Sequence, residues 1–310
     1  MLTHSQNMMV AMSTLFLLLW TPTLTLIPVH SWILPPKHER SSPLHLQHLS
    51  SQHRLQRKLP LTNGDVIDVI SRTIALTPSW NVTIWEQDEP ADIVAHYWNT
   101  QGRSNRGQQL DPFGLVSWPG SVVAAQELQH SYQRQIQNAT VLVLGAGTGV
   151  EAQAVAMLGA SRVIATDIHP TTLDLLRYGA QQAGLADTIT TMHFDLFGTH
   201  PLPPCDVVLA ADVLYSSKLA MQVGERIRQV LTNNDTSTNR NRNPPMVLVT
   251  DSQRFHGTDF VPALKRAVGD DSLAWEERDL EQFTGSGVMV NEDQTYNVKV
   301  RVLAIGFDKP

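Results

Sequence analysis

From residue 141 onward the chain alternates between two apolar patterns. Short apolar and β-branched runs at VLVLG (141–145), RVIATD (162–167), TITTMHF (188–194), CDVVLAAD (205–212) and MVLVTD (246–251) read as strands. Between them, 148–158, 170–183, 218–231 and 259–268 read as helices. Strands this continuously apolar, alternating with helices, predict a mostly parallel sheet covered on both faces. LAWEERDL (273–280) and YNVKVRVLAIGF (296–307) close the chain with no helix between them, which predicts an antiparallel hairpin at one edge. Upstream, TIALTPSWNVTIWEQ (73–87) holds two β-branched runs parted by Pro78 and Ser79, a hairpin pattern. SVVAAQELQHSYQRQI (121–136) follows Trp118-Pro119-Gly120 with apolar residues on one helical face, and so predicts an amphipathic helix. The polar, breaker-rich loop at 232–245 reads as a surface insertion. The expected fold is therefore α/β and Rossmann-like, a twisted sheet with an antiparallel C-terminal edge hairpin. A small N-terminal β-hairpin extension at 61–111 precedes the main domain at 112–310.

The first sixty residues follow a different pattern. The run VAMSTLFLLL (10–19) suits the apolar core of a signal peptide, although no Lys or Arg precedes it. Extended to Ile27 it also reaches the lower limit of a membrane span, so 1–30 reads as a signal peptide or a signal anchor. Residues 31–60 are rich in Ser, His and basic groups and carry one acid, Glu39, the composition of a transit segment. The expectation is entry into the secretory pathway with delivery to a plastid or another organelle, or a cytoplasmic protein if the leader is an artefact of the assigned start. Membrane contact is expected only through the apolar run, and only if it is not cleaved. His30, His38, His45, His48 and His53 crowd this leader at irregular spacing with no Cys, so no metal site is expected.

With 42% hydrophobic and 17% charged residues the chain can bury a substantial core. Charge divides it again: residues 1–60 carry five Lys/Arg and one acid, and the rest carries 18 basic against 28 acidic groups. An acidic body argues against nucleic acid as a partner, since phosphate binding needs a basic face. It favours a basic protein or a small molecule. The single cysteine, Cys205, excludes an internal disulfide. A monomer is expected. Asn81, Asn138 and Asn234 head glycosylation triplets, which arise often by chance.

Four elements carry chemistry. Gly145-Ala146-Gly147-Thr148-Gly149 lies between a predicted strand and a predicted helix, where glycines let a ligand approach the backbone and a helix start offers N–H groups. Asp167 ends the next strand, 22 residues after Gly145, and a carboxylate there can accept both ribose hydroxyls of an adenosine. NAD sites share that geometry, but their G-x-G-x-x-G fingerprint needs glycine at position 150, which is Val150; the G-x-G-x-G spacing favours S-adenosylmethionine. A tight turn without ligand is the plainer alternative. Asp195, within Phe194-Asp195-Leu196-Phe197, could accept from an adenine amino group or merely cap a loop. Asp212 and Tyr215 follow the strand that ends at Ala211, setting an acid and a phenol at the carboxyl edge of the sheet, where open α/β folds bind ligands.

In this order and spacing, Trp118-Pro119, VLVLGAGTG, TDIHP and AADVLYS resemble the seven-strand protein lysine methyltransferases of the methyltransferase-16 group. The resemblance covers roughly 112–310. It implies a seven-stranded sheet and S-adenosylmethionine contacts at Trp118, Gly145, Ala146, Gly147, Asp167, Leu196 and Ala211, with Asp212 and Tyr215 as a D-x-x-Y element facing the substrate nitrogen. The implied partner is a lysine-bearing protein. Two departures stand out: Val143 occupies the position of the family's usual Glu, and Leu196 that of a frequent Trp. The first removes a buttress of the glycine loop and the second thins the adenine stack. Methylation of a small molecule or of another nitrogen, and a catalytically silent cofactor-binding module, remain as alternatives.

Overall fold

The computed structural model describes residues 55–89, 112–232, 244–252, 260–262, 264, 273–283 and 296–307. Residues 1–54, which hold nearly all of the expected leader, the segment 90–111 and most of the 232–245 loop lie outside the described residues, as does most of the helix expected at 259–268. Two sheets are present among those residues. The N-terminal one has three strands in order: β1 (Gln56–Pro60), β2 (Val66–Thr77) and β3 (Trp80–Gln87), all antiparallel. The β2–β3 hairpin turns at Pro78-Ser79, where the sequence places it.

The third strand corrects the sequence reading: β1 is formed by residues assigned from composition to the end of the leader. Leu59 is its only buried side chain, so pairing with Val66–Ile70 rests on backbone hydrogen bonds that leave no hydrophobic pattern to read.

The larger sheet contains β4 (Thr140–Leu144), β5 (Arg162–Asp167), β6 (Ile189–His193), β7 (Val207–Ala211), β8 (Met246–Asp251), β9 (Glu276–Phe283) and β10 (Tyr296–Ile305). Their order is β6-β5-β4-β7-β8-β10-β9, with β10 antiparallel to both β8 and β9. The predicted C-terminal hairpin is thus present, and its second strand inserts between β8 and β9. The charged β9 forms the outer edge, where charge discourages pairing with other chains.

Helices α1 (Pro119–Ser131), α2 (Gln133–Ile136), α3 (Val150–Met157), α4 (Pro170–Gln182) and α5 (Ser217–Thr232) connect or flank these strands. The helix expected over 121–136 is interrupted at Tyr132, where α1 ends. Alternate residues of the central strands feed opposite layers. Val141 and Val143 of β4, with Val207 and Leu209 of β7, join α1, α3 and α4 in one core cluster; Leu142, Leu144, Val208 and Ala210 join α5 in the other. The N-terminal sheet packs outside the first layer. There Trp85 stacks edge-on against Tyr178 at 4.9 Å, and Thr62 bonds Asp174 through its backbone and its hydroxyl. Chain order runs outward from β4 to β6 and then returns to β7. The carboxyl ends of β4, β5 and β7 therefore meet at a topological switch point, the usual ligand crevice of such sheets. Among the described residues, no helix is long and apolar enough to cross a membrane.

Candidate active site

A cavity of about 370 Å³ opens at that switch point. Every candidate residue picked out in the sequence lines it, except Gly149. An added Cβ at Gly149 would sit 2.8 Å from Leu176, so this glycine serves the packing of α3 against α4. Gly145 lies at φ 63°, a conformation natural to glycine, and a Cβ there would meet Val213 at 2.7 Å.

Three amides of the glycine loop are engaged within the protein. Ala146 N–H donates to the Thr166 carbonyl at 2.8 Å, Gly147 N–H to Asp167 Oδ2 at 3.1 Å, and Gly149 N–H to the Ala146 carbonyl at 2.9 Å. Asp167 Oδ1 also accepts the His169 N–H at 2.8 Å, so the acid is fixed from both sides at the end of β5. The lining holds three acids, Asp167, Asp195 and Asp212, against one base, Lys218, which is exposed beside the Phe197 ring. A pyrophosphate would meet few free N–H groups and net negative charge here. A cationic adenosyl sulfonium fits both the acids and the bare glycine floor, and the volume suits a ligand of that size.

Asp212 has φ 53°, a left-handed backbone that Asp tolerates better than most residues. Its Oδ2 accepts the Gly120 N–H at the start of α1 at 2.6 Å, and its Oδ1 accepts the Ser252 N–H at 2.6 Å and the Ser252 hydroxyl at 2.8 Å. Burial outweighs these bonds and raises its pKa to about 6. Behind it Asp251, at 1% exposure, has no hydrogen-bond partner for either oxygen among the described residues, and burial raises its pKa to about 8.

Aromatic side chains also line the cavity. Phe113 lies edge-on to Tyr215 at 5.1 Å and to Trp118 at 6.1 Å, while the Trp118 indole N–H holds the Phe113 carbonyl at 2.8 Å. This segment is anchored from the N-terminal sheet: Glu86, 0% exposed, accepts the Ser117 N–H at 3.0 Å and the Arg72 Nε–H at 2.8 Å.

The lysine methyltransferase family model matches residues 104–267, more than half of the chain. The chain belongs to this family. It is similar to the electron transfer flavoprotein beta subunit lysine methyltransferase of Mus musculus, at 29% identity over 122 residues, 36% of this chain and 42% of that protein. The Homo sapiens protein of the same name is 30% identical over 130 residues, 38% of this chain and 44% of the relative. The chain thus spans under half the length of these curated relatives. Among solved structures it is similar to the T. thermophilus 16S rRNA N2 G1207 methyltransferase in complex with S-adenosylmethionine and guanosine. The identity is 12% and the TM-score 0.42, over 76% of this chain and 50% of that one.

At both family departures the backbone is braced by side chains of neighbouring elements. Val143 is buried in β4, and its carbonyl accepts the Thr166 hydroxyl at 2.8 Å, so the strand below the glycine loop is braced from β5. The Leu196 carbonyl accepts from Gln222 Nε2 at 2.7 Å and from Arg226 Nε at 2.8 Å. Arg226, 3% exposed, also holds the carbonyls of Gly198 and His200, so one guanidinium fixes the whole wall after β6. Asp195 is exposed and its Oδ1 accepts the Phe197 N–H at 2.8 Å, so the loop-capping reading holds for that oxygen. Phe113, Ser121 and Arg226 went unnoticed in the sequence; nothing in the local pattern marks an Arg on an amphipathic helix as a buried clamp. Among the described residues no group of acids, His and Cys is arranged to hold a metal ion.

Proposed function

We propose that this chain transfers a methyl group from S-adenosylmethionine to the ε-amino group of a lysine in a protein. The observation that carries the reading is the acidic, glycine-floored cavity with Asp212 and Tyr215 on its wall, in a chain of the lysine methyltransferase family. The loop at 145–147, with Asp167, Asp195, Leu196, Ala211 and Trp118, would hold the donor. When bound, S-adenosylmethionine supplies a methyl group activated by a positively charged sulfur.

The remaining work is alignment of the acceptor. A lysine with a reference pKa of ~10.4 is neutral about one time in a thousand near pH 7.4, a cost of ~4 kcal/mol. Desolvation in the cavity and a neighbouring positive charge both lower that cost. Asp212 is too weak a base to keep the proton at neutral pH, since its pKa is about 6. Three donated hydrogen bonds fix its orientation, so it serves to point the nitrogen. Tyr215, with Phe113, walls the channel through which an aliphatic side chain would enter. The acidic body suits a basic protein as acceptor.

The test incubates the purified protein with isotope-labelled S-adenosylmethionine and a protein extract, beside Asp212→Ala. A discrete labelled protein band, absent with the variant, is expected. Label that appears only in small molecules would contradict the reading.

The address in residues 1–54 is a separate proposal. A fluorescent fusion to that segment is expected to enter an organelle; uniform cytosolic fluorescence would end the idea.

A further inference from the structure

Glu151 stands in the first turn of α3, directly after the glycine loop, and is 1% exposed. Neither carboxylate oxygen makes a hydrogen bond of good geometry among the described residues; its own N–H and the Ser121 hydroxyl, part of the cavity lining, lie near enough to favour the ionised form only in part. The charges that reach it are both negative, Asp212 and Asp167, and both line the cavity. Of the other elements against α3, α1 carries Glu127, paired with Arg278, and the exposed His130, β3 carries Glu86, already paired with Arg72, β5 carries Arg162 at its exposed far end, and β6 carries the exposed His193.

A buried carboxylate with only weak hydrogen bonding and no counter-cation is costly, and an alkyl chain would fill the same space without that cost. Burial raises its pKa to about 7, so it is about half protonated in the empty protein at neutral pH. What would offset the cost is a cation entering the cavity that Asp167, Asp212 and Ser121 line, the three side chains through which Glu151, one layer behind the wall, is coupled to it.

We propose that Glu151 is the switchable counter-charge of this cavity, sharing its carboxyl between protonated and ionised forms when the cavity is empty and fully ionised when the sulfonium-bearing end of S-adenosylmethionine is bound. Resting on the donor assignment above, the inference balances charge simply: the carboxyl proton leaves to solvent as the cation enters. It returns once transfer has left the uncharged thioether, S-adenosylhomocysteine. Glu151 therefore favours the charged donor over the spent product.

Calorimetric titration of the whole protein in buffers of contrasting ionisation enthalpy tests this. At pH 6.5, below the range where the ligand's own amino group titrates, S-adenosylmethionine should release about three-quarters of a proton more from the native protein than from Glu151→Gln, and S-adenosylhomocysteine should show distinctly less of that difference. The gain in donor affinity between pH 6 and pH 8 should be about ten times larger in the native protein than in Glu151→Gln, and the variant should lose preference for donor over product. Donor binding without proton release overturns the inference, whatever the variant does. The same release from Glu151→Gln overturns it equally. If neither nucleoside binds the native protein, the donor assignment itself fails and takes the inference with it.

Discussion

Asp212 Oδ2 and the Gly120 N–H meet at 2.6 Å across 92 residues of sequence, so the acid after β7 also closes the start of α1. The Gly120 carbonyl in turn accepts the Thr250 hydroxyl at 2.9 Å, and Thr250 accepts the Asp212 N–H at 2.9 Å. Three elements thus hold one carboxylate in place. A Cβ at position 120 would lie 2.4 Å from Asp212 Oδ2. Gly120→Ala is therefore expected to push the carboxylate aside and lower turnover on the order of a hundredfold, with little change in donor affinity. Steady-state rates beside equilibrium binding check the split.

Asp167 and Asp212 should separate in the same way. Asp167→Ala is expected to weaken donor binding by ~1.5–3 kcal/mol, the worth of charged hydrogen bonds. Asp212→Ala should abolish turnover while leaving binding nearly intact. Equal losses of binding in both variants would contradict the division of roles.

The Arg72–Glu86 pair is 6% and 0% exposed, and Glu86 reaches from it to the Ser117 backbone. Removing one partner of such a pair leaves a buried charge alone, a loss of roughly 3–5 kcal/mol. Arg72→Ala should show that loss in denaturant unfolding. It should also weaken donor binding, because Trp118 follows the segment that Glu86 holds. Loss of stability with unchanged binding would uncouple the N-terminal sheet from the cavity.

Two buried carboxyls and the half-buried Asp212 give the ligand-free protein a distinctive pH profile. Asp212, Glu151 and Asp251 have pKa values raised to about 6, 7 and 8, chiefly by burial. In each case the folded state binds a proton that the unfolded state has already released. Their contribution to stability is complete near pH 4 and is lost as pH rises through 6 to 8. Arg301, opposite Asp251 in β10, offsets part of the effect at that residue. Melting temperature should fall from pH 5 to pH 8. Asp251→Asn should recover up to roughly 5 kcal/mol at the upper end and only about 1–2 kcal/mol at pH 5. A variant that gains equally at both pH values would show that Asp251 is not the titrating group.

The central sheet could be read from sequence because β4, β5, β7 and β8 are buried on both faces, leaving little room for polar residues. The glycine loop, Asp167 and the Asp212–Tyr215 pair were legible because each sits at a strand end, where periodicity breaks. β1 was not legible, since one buried side chain in five residues makes no pattern. Glu151 and Arg226 were hidden for a different reason. On a helix either residue reads as a solvated face, and only the packing of distant elements buries them. The bonds of Asp212 to Gly120 and Ser252 likewise join positions that no local spacing connects.

The central claim is tested most directly by the chemical identity of the methylated residue. A protein labelled by this chain with isotopic S-adenosylmethionine would be hydrolysed to amino acids and the label separated. The account predicts label in methyl-lysine with the native chain and none with Asp212→Ala. Label in methyl-arginine or methyl-histidine, or methyl-lysine formed equally by the variant, would contradict it.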